Sequence, residues 1–397
     1  MNDLPRPFVL LEGPGGGGTT HLAWGARSRR RLSWDDPADP AVLAPPGDVP
    51  LYGTVAYEFG LPPGVRRRAP AVPQPLVDLF EPENLVITDD SGRVVRCEGP
   101  EAEKVASGRW PVASDAGFSV PNAPGSSWRS FTQTAFESTV RCAQEHIAAG
   151  DIYQVNLSVA ERWPLTTDAW PLYLRLRAIN PSPWMGFADF GDWQLVCGSP
   201  ELLVERSAAG RLRTRPIAGT RRKTGHAEAD RVMREELRLD EKERAEHLML
   251  VDLARNDIGR LARYGTVEVA EREVVEEYSH VFHLVSEVRG MERPGLDQGT
   301  VVASLFPGGT ITGCPKIRAM EIIGELEPVA RGAYTGALGW IGSHDLQLNI
   351  VIRSAVVSQG QVVVQSGAGI VADSIPEREW KESLRKAAAV RAAFGRE

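Results

Sequence analysis

Glu243 and Glu246 stand three residues apart in the stretch Asp240 to Arg260, DEKERAEHLMLVDLARNDIGR. On a helix that spacing sets both carboxylates on one face. Leu248, Val251 and Leu253 begin an apolar surface that buries the same segment. Two acids at the edge of a buried helix are poor for stability and well suited to a divalent cation; the window also reads as a solvated, charged helix start. Glu379 and Glu382 repeat the spacing in PEREWKESLRKAAAVRAAF. There Pro376 suits a first helical turn, and Ala387, Ala388, Val390 and Ala393 supply the apolar positions. Two helices that each present a carboxylate pair can build an oxygen-rich site for one Mg²⁺. Without a cation, four converging carboxylates repel one another in a closed pocket.

The rest of the chain must position these acids. It has 397 residues, 42% hydrophobic and 24% charged, an ordinary globular composition with length for a large core. A formal charge of −7 argues against a general nucleic-acid surface, and the basic runs Arg29 to Arg31 and Arg66 to Arg68 read as solvated loop charges. Cys97, Cys142, Cys197 and Cys314 are widely spread and lack a CxxC. That argues against a zinc site or a disulfide framework and fits a reducing cytosol. No apolar run approaches membrane-spanning length, and the N-terminus lacks the basic and apolar regions of a secretion signal. The expected setting is cytoplasmic, with no membrane and no nucleic acid as partner.

Residues 1 to about 125 are rich in Pro, Gly and Arg. Phe8 to Leu11 reads as a strand leading into Gly13-Pro14-Gly15-Gly16-Gly17-Gly18-Thr19, which lacks the Gly-Lys-Ser/Thr ending of a phosphate-binding loop and reads as a turn. Leu51 to Phe59, Leu85 to Thr88 and Arg93 to Cys97 are further strands. The Ser/Pro/Gly-rich segment Ala113 to Ser127 reads as a linker, so the expected division is an N-terminal lobe, 1–125, and a catalytic domain, 126–397. Thr132 to Ala149 carries Phe136, Val140, Ala143 and Ile147 at helical spacing, with Gly150 to terminate it. Strands follow at Asp151 to Ala160, Trp193 to Cys197, Glu201 to Glu205 and Leu212 to Ile217. Asp230 to Arg263 reads as mostly helical, Val267 to Val275 and Tyr278 to Val288 as strands, and Gly299 to Leu305 and Ile317 to Leu326 as helices. The last third is strand-rich, through Gly336 to Ile341, Leu346 to Ser354 and Gln361 to Gln365, until the helix at Pro376. The fold class expected is α+β, with large, mostly antiparallel sheets covered by helices.

Seven stretches together resemble the chorismate-utilising enzymes, the family of anthranilate synthase component I and aminodeoxychorismate synthase component I. They are GDIYQVNLS, RPIAGTRR, EHLMLVDLARNDIGR, SHVFHLVS, FPGGTITGCPKIRAMEII, GAYTGALGW and GAGIVADSIPEREWKE, in family order from residue 150 to 382. The resemblance covers the last two thirds of the chain; the N-terminal region is only weakly similar. It implies the anthranilate synthase component I-like fold, chorismate as substrate and Mg²⁺ as cofactor. The resemblance puts Mg²⁺ on Glu246 and Glu382, with Glu243 and Glu379 acting through water. Arg353 matches an arginine for the enolpyruvyl carboxylate, whose planar fork suits such a group, and Tyr334 a neighbouring donor. Gly367 and Gly369 match a loop whose backbone N–H groups reach a carboxylate. Gly219 and Thr220 fall in the matched turn, and Lys386 matches a further cation. Thr310 and His283 match residues lining the ring. His283 is a candidate general acid to the departing hydroxyl; it also reads as a hydrogen-bonded histidine packed in a sheet.

Family members that add water to chorismate, the isochorismate and salicylate synthases, resemble one another in a lysine base where this chain has Gln154. Glutamine cannot deprotonate water, so ammonia is the better nucleophile. The chain has no nucleophile elbow of its own for releasing ammonia from glutamine, which implies a separate glutaminase subunit. Asn156 resembles aminodeoxychorismate synthase, where anthranilate synthases more often have Val. Leu10-Leu11-Glu12-Gly13 lacks the serine found in tryptophan-inhibited anthranilate synthases. Ala218, in Pro216-Ile217-Ala218-Gly219-Thr220, is instead the anthranilate-synthase choice; many aminodeoxychorismate synthases carry a lysine there that is thought to attack C2. The expectation is aminodeoxychorismate synthase component I, in the 4-aminobenzoate and folate pathway. Anthranilate synthase component I is the alternative, and a water-adding isomerase or a silent chorismate-binding subunit are more distant ones.

Overall fold

The computed structural model describes residues 4–13, 18–65, 67–107, 127–165, 167–278 and 280–396. Among them, nineteen strands join in one hydrogen-bonded network. Strands of the first hundred residues pair directly with later ones: Phe8–Glu12 lies antiparallel to Trp184–Asp189, and Leu51–Val55 antiparallel to Ala337–Ile341. The linker segment expected at Ala113 to Ser127, apart from Ser127, lies outside the described residues, as do residues 14–17 of the glycine-rich turn.

Two neighbouring strands show how the sheet positions a site. Gln154–Pro164 runs antiparallel to Gln361–Ile370, with Asn156 opposite Gly369 and Ser158 opposite Gly367. Successive side chains of a strand point to opposite faces. Val155, Leu157, Val159, Ala368 and Ile370 therefore enter one hydrophobic core, while Gln154, Asn156, Gln365, Gly367 and Gly369 face the other way and line a cavity. The strand begins three residues later than the pattern suggests, because Tyr153 is tied instead to the Cys314 carbonyl.

The helical stretch after residue 226 is two helices, Ala227–Leu239 and Glu241–Gly259, broken at Asp240. The Asp240 carboxylate caps the second helix by accepting from the N–H groups of Lys242 (3.0 Å) and Glu243 (3.1 Å). That cap fixes the start of the turn that carries Glu243 and Glu246. The buried face is His247, Leu250, Val251, Ala254, Asp257 and Ile258. Leu248 is exposed rather than part of the apolar surface; one helical turn past Glu246 the chain buries Leu250 instead. The last helix, Pro376–Ala393, buries Trp380, Ser383, Ala387, Val390 and Ala393 at steps of three and four. Glu379, Glu382 and Lys386 share a neighbouring stripe at the same steps.

Several expectations differ in detail. Arg29 to Arg31 are not loop charges: they belong to the strand Thr20–Leu32. Arg29 makes two 2.7 Å bonds to the buried Asp78 carboxylate. Their charge hides the strand's alternation from the sequence. The helix Ala169–Ile179, capped by Asp168, is not announced by the pattern, since Pro171 falls in its first turn. Among the described residues no helix is long and apolar enough to cross a membrane.

Candidate active site

One cavity gathers the cavity-facing strand residues with the two charged helices. It encloses ≈ 180 Å³, space for roughly a dozen waters or one small organic molecule. Every residue expected to act on the ring or bind the substrate borders it: His283, Thr310, Gln154, Ala218, Tyr334, Arg353, Gly367, Gly369, Lys386, Gly219 and Thr220. Of the four acids expected to hold metal, Glu246 borders it; Glu243, Glu379 and Glu382 do not line it.

Local backbone geometry aims these groups. Gly219 sits at a bulge in the strand Ile217–Arg222 with φ 61°. A Cβ there would come within 2.8 Å of Leu237 and 3.1 Å of the Glu243 carboxylate, so only glycine fits. The bulge turns the Gly219 carbonyl onto His283 Nδ1 (3.0 Å), which also lies 3.1 Å from the Thr220 hydroxyl. At Gly369 a Cβ would stand 2.6 Å from Gln154 Nε2, and its absence lets that amide donate to Glu246 Oε1 at 2.8 Å. Arg353 is not in a strand: it occupies the break between Leu346–Ile350 and Ser354–Ser358 with φ 51°. That left-handed backbone is strained for a residue with a side chain, and it turns the guanidinium into the cavity.

Three of the acids are compensated by direct contacts. Glu243 Oε1 accepts from Arg221 at 3.2 Å. Glu382 pairs with Arg385 and, at 3.7 Å, with Lys386 Nζ. Burial holds the Glu246 pKa above the ordinary carboxylate range; the Gln154 bond opposes this, and the Glu243 charge adds to it. The Lys386 side chain is 42% exposed, with Arg353, Glu246 and Glu379 near its charge. Burial and the nearby Arg353 lower its pKa, and Glu246 and Glu379 support its charge. Among the described residues no three His, Cys, Asp or Glu side chains converge as a ready metal cage. The four acids thus do not form the bare converging cluster the spacing suggested; repulsion is relieved by Arg221, Arg385, Lys386 and Gln154. The donor set still fits a hard dication: it is all oxygen, and Glu246 feels a neighbouring negative charge that a cation would neutralise.

The inner wall carries a group the sequence reading missed. Glu201 lies between the strands Trp193–Ser199 and Leu202–Arg206, is 5% exposed and borders the cavity. Burial raises its pKa to about 7, opposed by the Thr310 hydroxyl, the Ile217 backbone, Lys386 and Arg353. Although Thr310 lowers that pKa, its Oγ1 makes no hydrogen bond of regular geometry among the described residues. The available signal was an acid set between two apolar strands, in CGSPELLV. Burial, then Arg353, lowers the His283 pKa to about 4. A carbonyl can only accept, so Nδ1 carries the proton toward Gly219 and Nε2 is an acceptor. Of the two, Glu201 titrates nearer neutral pH than His283.

The chain matches the chorismate binding enzyme family over residues 24–392 and belongs to it. It is 50% identical over 275 residues to aminodeoxychorismate synthase component 1 of Bacillus subtilis, a stretch covering 69% of this chain and 58% of that protein. It is 49% identical over 269 residues to anthranilate synthase component 1 of Aquifex aeolicus, covering 67% of this chain and 54% of that protein. The matched stretch thus spans little more than half the length of either relative. The crystal structure of anthranilate synthase component I from Streptococcus pneumoniae superposes with a TM-score of 0.80 at 31% identity, covering 94% of this chain and 92% of that one. The α+β fold expected from the sequence is the fold of this family.

Proposed function

We propose that this chain replaces the C4 hydroxyl of chorismate with ammonia, giving 4-amino-4-deoxychorismate, with Mg²⁺ held by Glu246 and Glu382 directly and by Glu243 and Glu379 through water. The reading is carried above all by the combination of a proton-holding carboxyl, Glu201, with two cations, Arg353 and Lys386, in one cavity whose base position is a glutamine. Arg353, with Tyr334 beside it, takes the enolpyruvyl carboxylate. When bound, Mg²⁺ would neutralise the ring carboxylate and draw electron density from the ring. Glu201, in its protonated form, gives its proton to the departing hydroxyl, which leaves as water. Ammonia forms the new C–N bond, and the ammonium product returns a proton to Glu201. Gln154 cannot deprotonate water, which favours ammonia over hydration. The ammonia comes from a glutaminase subunit, and the setting is the cytoplasm. Asn156, which resembles the residue of aminodeoxychorismate synthases at this position, favours C4.

Ala218 supports a second reading, amination at C2 with loss of pyruvate, as in anthranilate synthase. It lines the cavity and leaves no amine there to attack C2. The test is product identification after incubation with chorismate, Mg²⁺ and ammonium, with and without a lyase that releases 4-aminobenzoate. The C4 reading expects a product of aminodeoxychorismate mass that yields 4-aminobenzoate only with the lyase. Direct anthranilate fluorescence would overturn it in favour of C2, and isochorismate formed without any nitrogen source would overturn both. If anthranilate is the product, Ala218→Lys should shift it toward C4.

A further inference from the structure

We infer that Arg331, paired with Glu327, is a positioning residue that fixes the substrate-facing wall of the cavity; the inference rests on the reading of that cavity as the chorismate site. Arg331 is 3% exposed and borders no part of the cavity, yet its guanidinium holds three of the segments that do. Its Nη2 donates to the Asn156 carbonyl at 2.7 Å and its Nη1 to the Ile311 carbonyl at 2.7 Å. Its charge lies 5.9 Å from the Tyr334 ring centre. Nε and Nη2 grip the two Glu327 oxygens at 3.0 and 2.8 Å, and Nη1 reaches the Thr335 hydroxyl at 3.5 Å. All five donors are thereby used.

Glu327 extends the tie. Its Oε1 accepts from the Ser158 N–H (2.8 Å) and hydroxyl (2.9 Å). That hydroxyl in turn accepts from Gln365 Nε2 at 2.8 Å, and Gln365 lines the cavity. One ion pair therefore sets the backbone of Asn156 and Ile311, the seat of Tyr334 and the amide of Gln365. None of the four acids of the proposed metal site touches it. The planar fork is essential: lysine keeps the charge and cannot span two carbonyls and a carboxylate at once. A fully satisfied buried network of this kind specifies one arrangement of its surroundings, and preorganised walls act on substrate binding.

The test is steady-state kinetics of Arg331→Lys and the milder Ser158→Ala with ammonium, varying chorismate and Mg²⁺ separately. A core variant, Val302→Ala, serves as the reference for stability lost without contact to the cavity. Displacing a wall by about an ångström can cost about 10²-fold. Arg331→Lys is expected to lose that much in kcat/KM for chorismate, most of it in KM, with the Mg²⁺ dependence unchanged. Ser158→Ala should raise the chorismate KM several-fold, and Val302→Ala should leave it unchanged. Folded Arg331→Lys and Ser158→Ala enzymes with the wild-type chorismate KM would overturn the positioning role. So would an equal rise of KM in Val302→Ala at matched thermal stability. Wild-type enzyme that does not consume chorismate would instead overturn the reading of the cavity, and the inference with it.

Discussion

Two kinds of carboxylate stand in and around the cavity, and the contrast explains how it can work. Glu243, Glu246, Glu379 and Glu382 stand on two helices, part-exposed; Glu243 is answered by an arginine, Glu246 by an amide and Glu382 by an arginine and a lysine. Their oxygens are the kind of donors a hard cation takes. Glu201 stands in a sheet turn, buried, with burial outweighing its cationic neighbours and raising its pKa to about 7. Its charge is given up in exchange for a proton. The same functional group is thus set beside cations and an amide on the helices and buried far enough in the sheet to titrate near neutral pH, and the surroundings make the difference.

The contrast can be broken at either member. Glu246→Gln removes the one cation-site acid that borders the cavity, and turnover should fall by at least about a thousandfold, the scale of several kcal/mol of charge stabilisation; steady-state rates at ordinary Mg²⁺ check it. Glu201→Gln should cost about 10²- to 10³-fold in turnover, as expected for a lost general acid. The informative readout is the pH profile, measured at fixed free ammonia. Wild-type kcat/KM should decline as pH rises through about 7, where Glu201 loses its proton, and that limb should vanish in the variant. A limb that persists would assign the proton to another group. His283, with a pKa lowered to about 4, should contribute no limb between pH 5 and 8.

A smaller effect extends the contrast to stability. Glu58, away from the cavity, accepts from the backbone N–H groups of Arg331 (2.6 Å) and Gly332 (3.0 Å). Burial still raises its pKa from 4.5 to about 7. A carboxyl whose folded pKa is raised binds more protons folded than unfolded between those values. Its contribution is therefore full at low pH and is lost as pH rises through about 7. Thermal melts should show Tm falling between about pH 5 and pH 7, with a shallower fall in Glu58→Gln; equal slopes would show that Glu58 is charged across that range.

Much of this was legible in the chain. The glycines at 219, 367 and 369, with Arg353, Lys386 and His283, border the cavity, and of the acid pairs at helical spacing Glu246 does. What the sequence hid is context. Glu201 is a single acid between apolar strands, and only the folded sheet shows that it is buried beside Thr310, Arg353 and Lys386. Asp240 reads as one more charge in a charged run until its backbone breaks the helix and caps the next one. The protonation of His283 depends on a carbonyl turned toward it by a bulge 64 residues away. Spacing reports which face a residue shares; it does not report what lies opposite.

The account depends on the helix-borne acids forming a cation site that works with the bound dianion. Calorimetric titration of Mg²⁺ into the protein, with and without chorismate, measures this directly. The expected result is one Mg²⁺ per chain, bound more tightly when chorismate is present, with binding lost in Glu246→Gln and in Glu382→Gln. Undiminished Mg²⁺ affinity in both variants, or an affinity indifferent to chorismate, would contradict it.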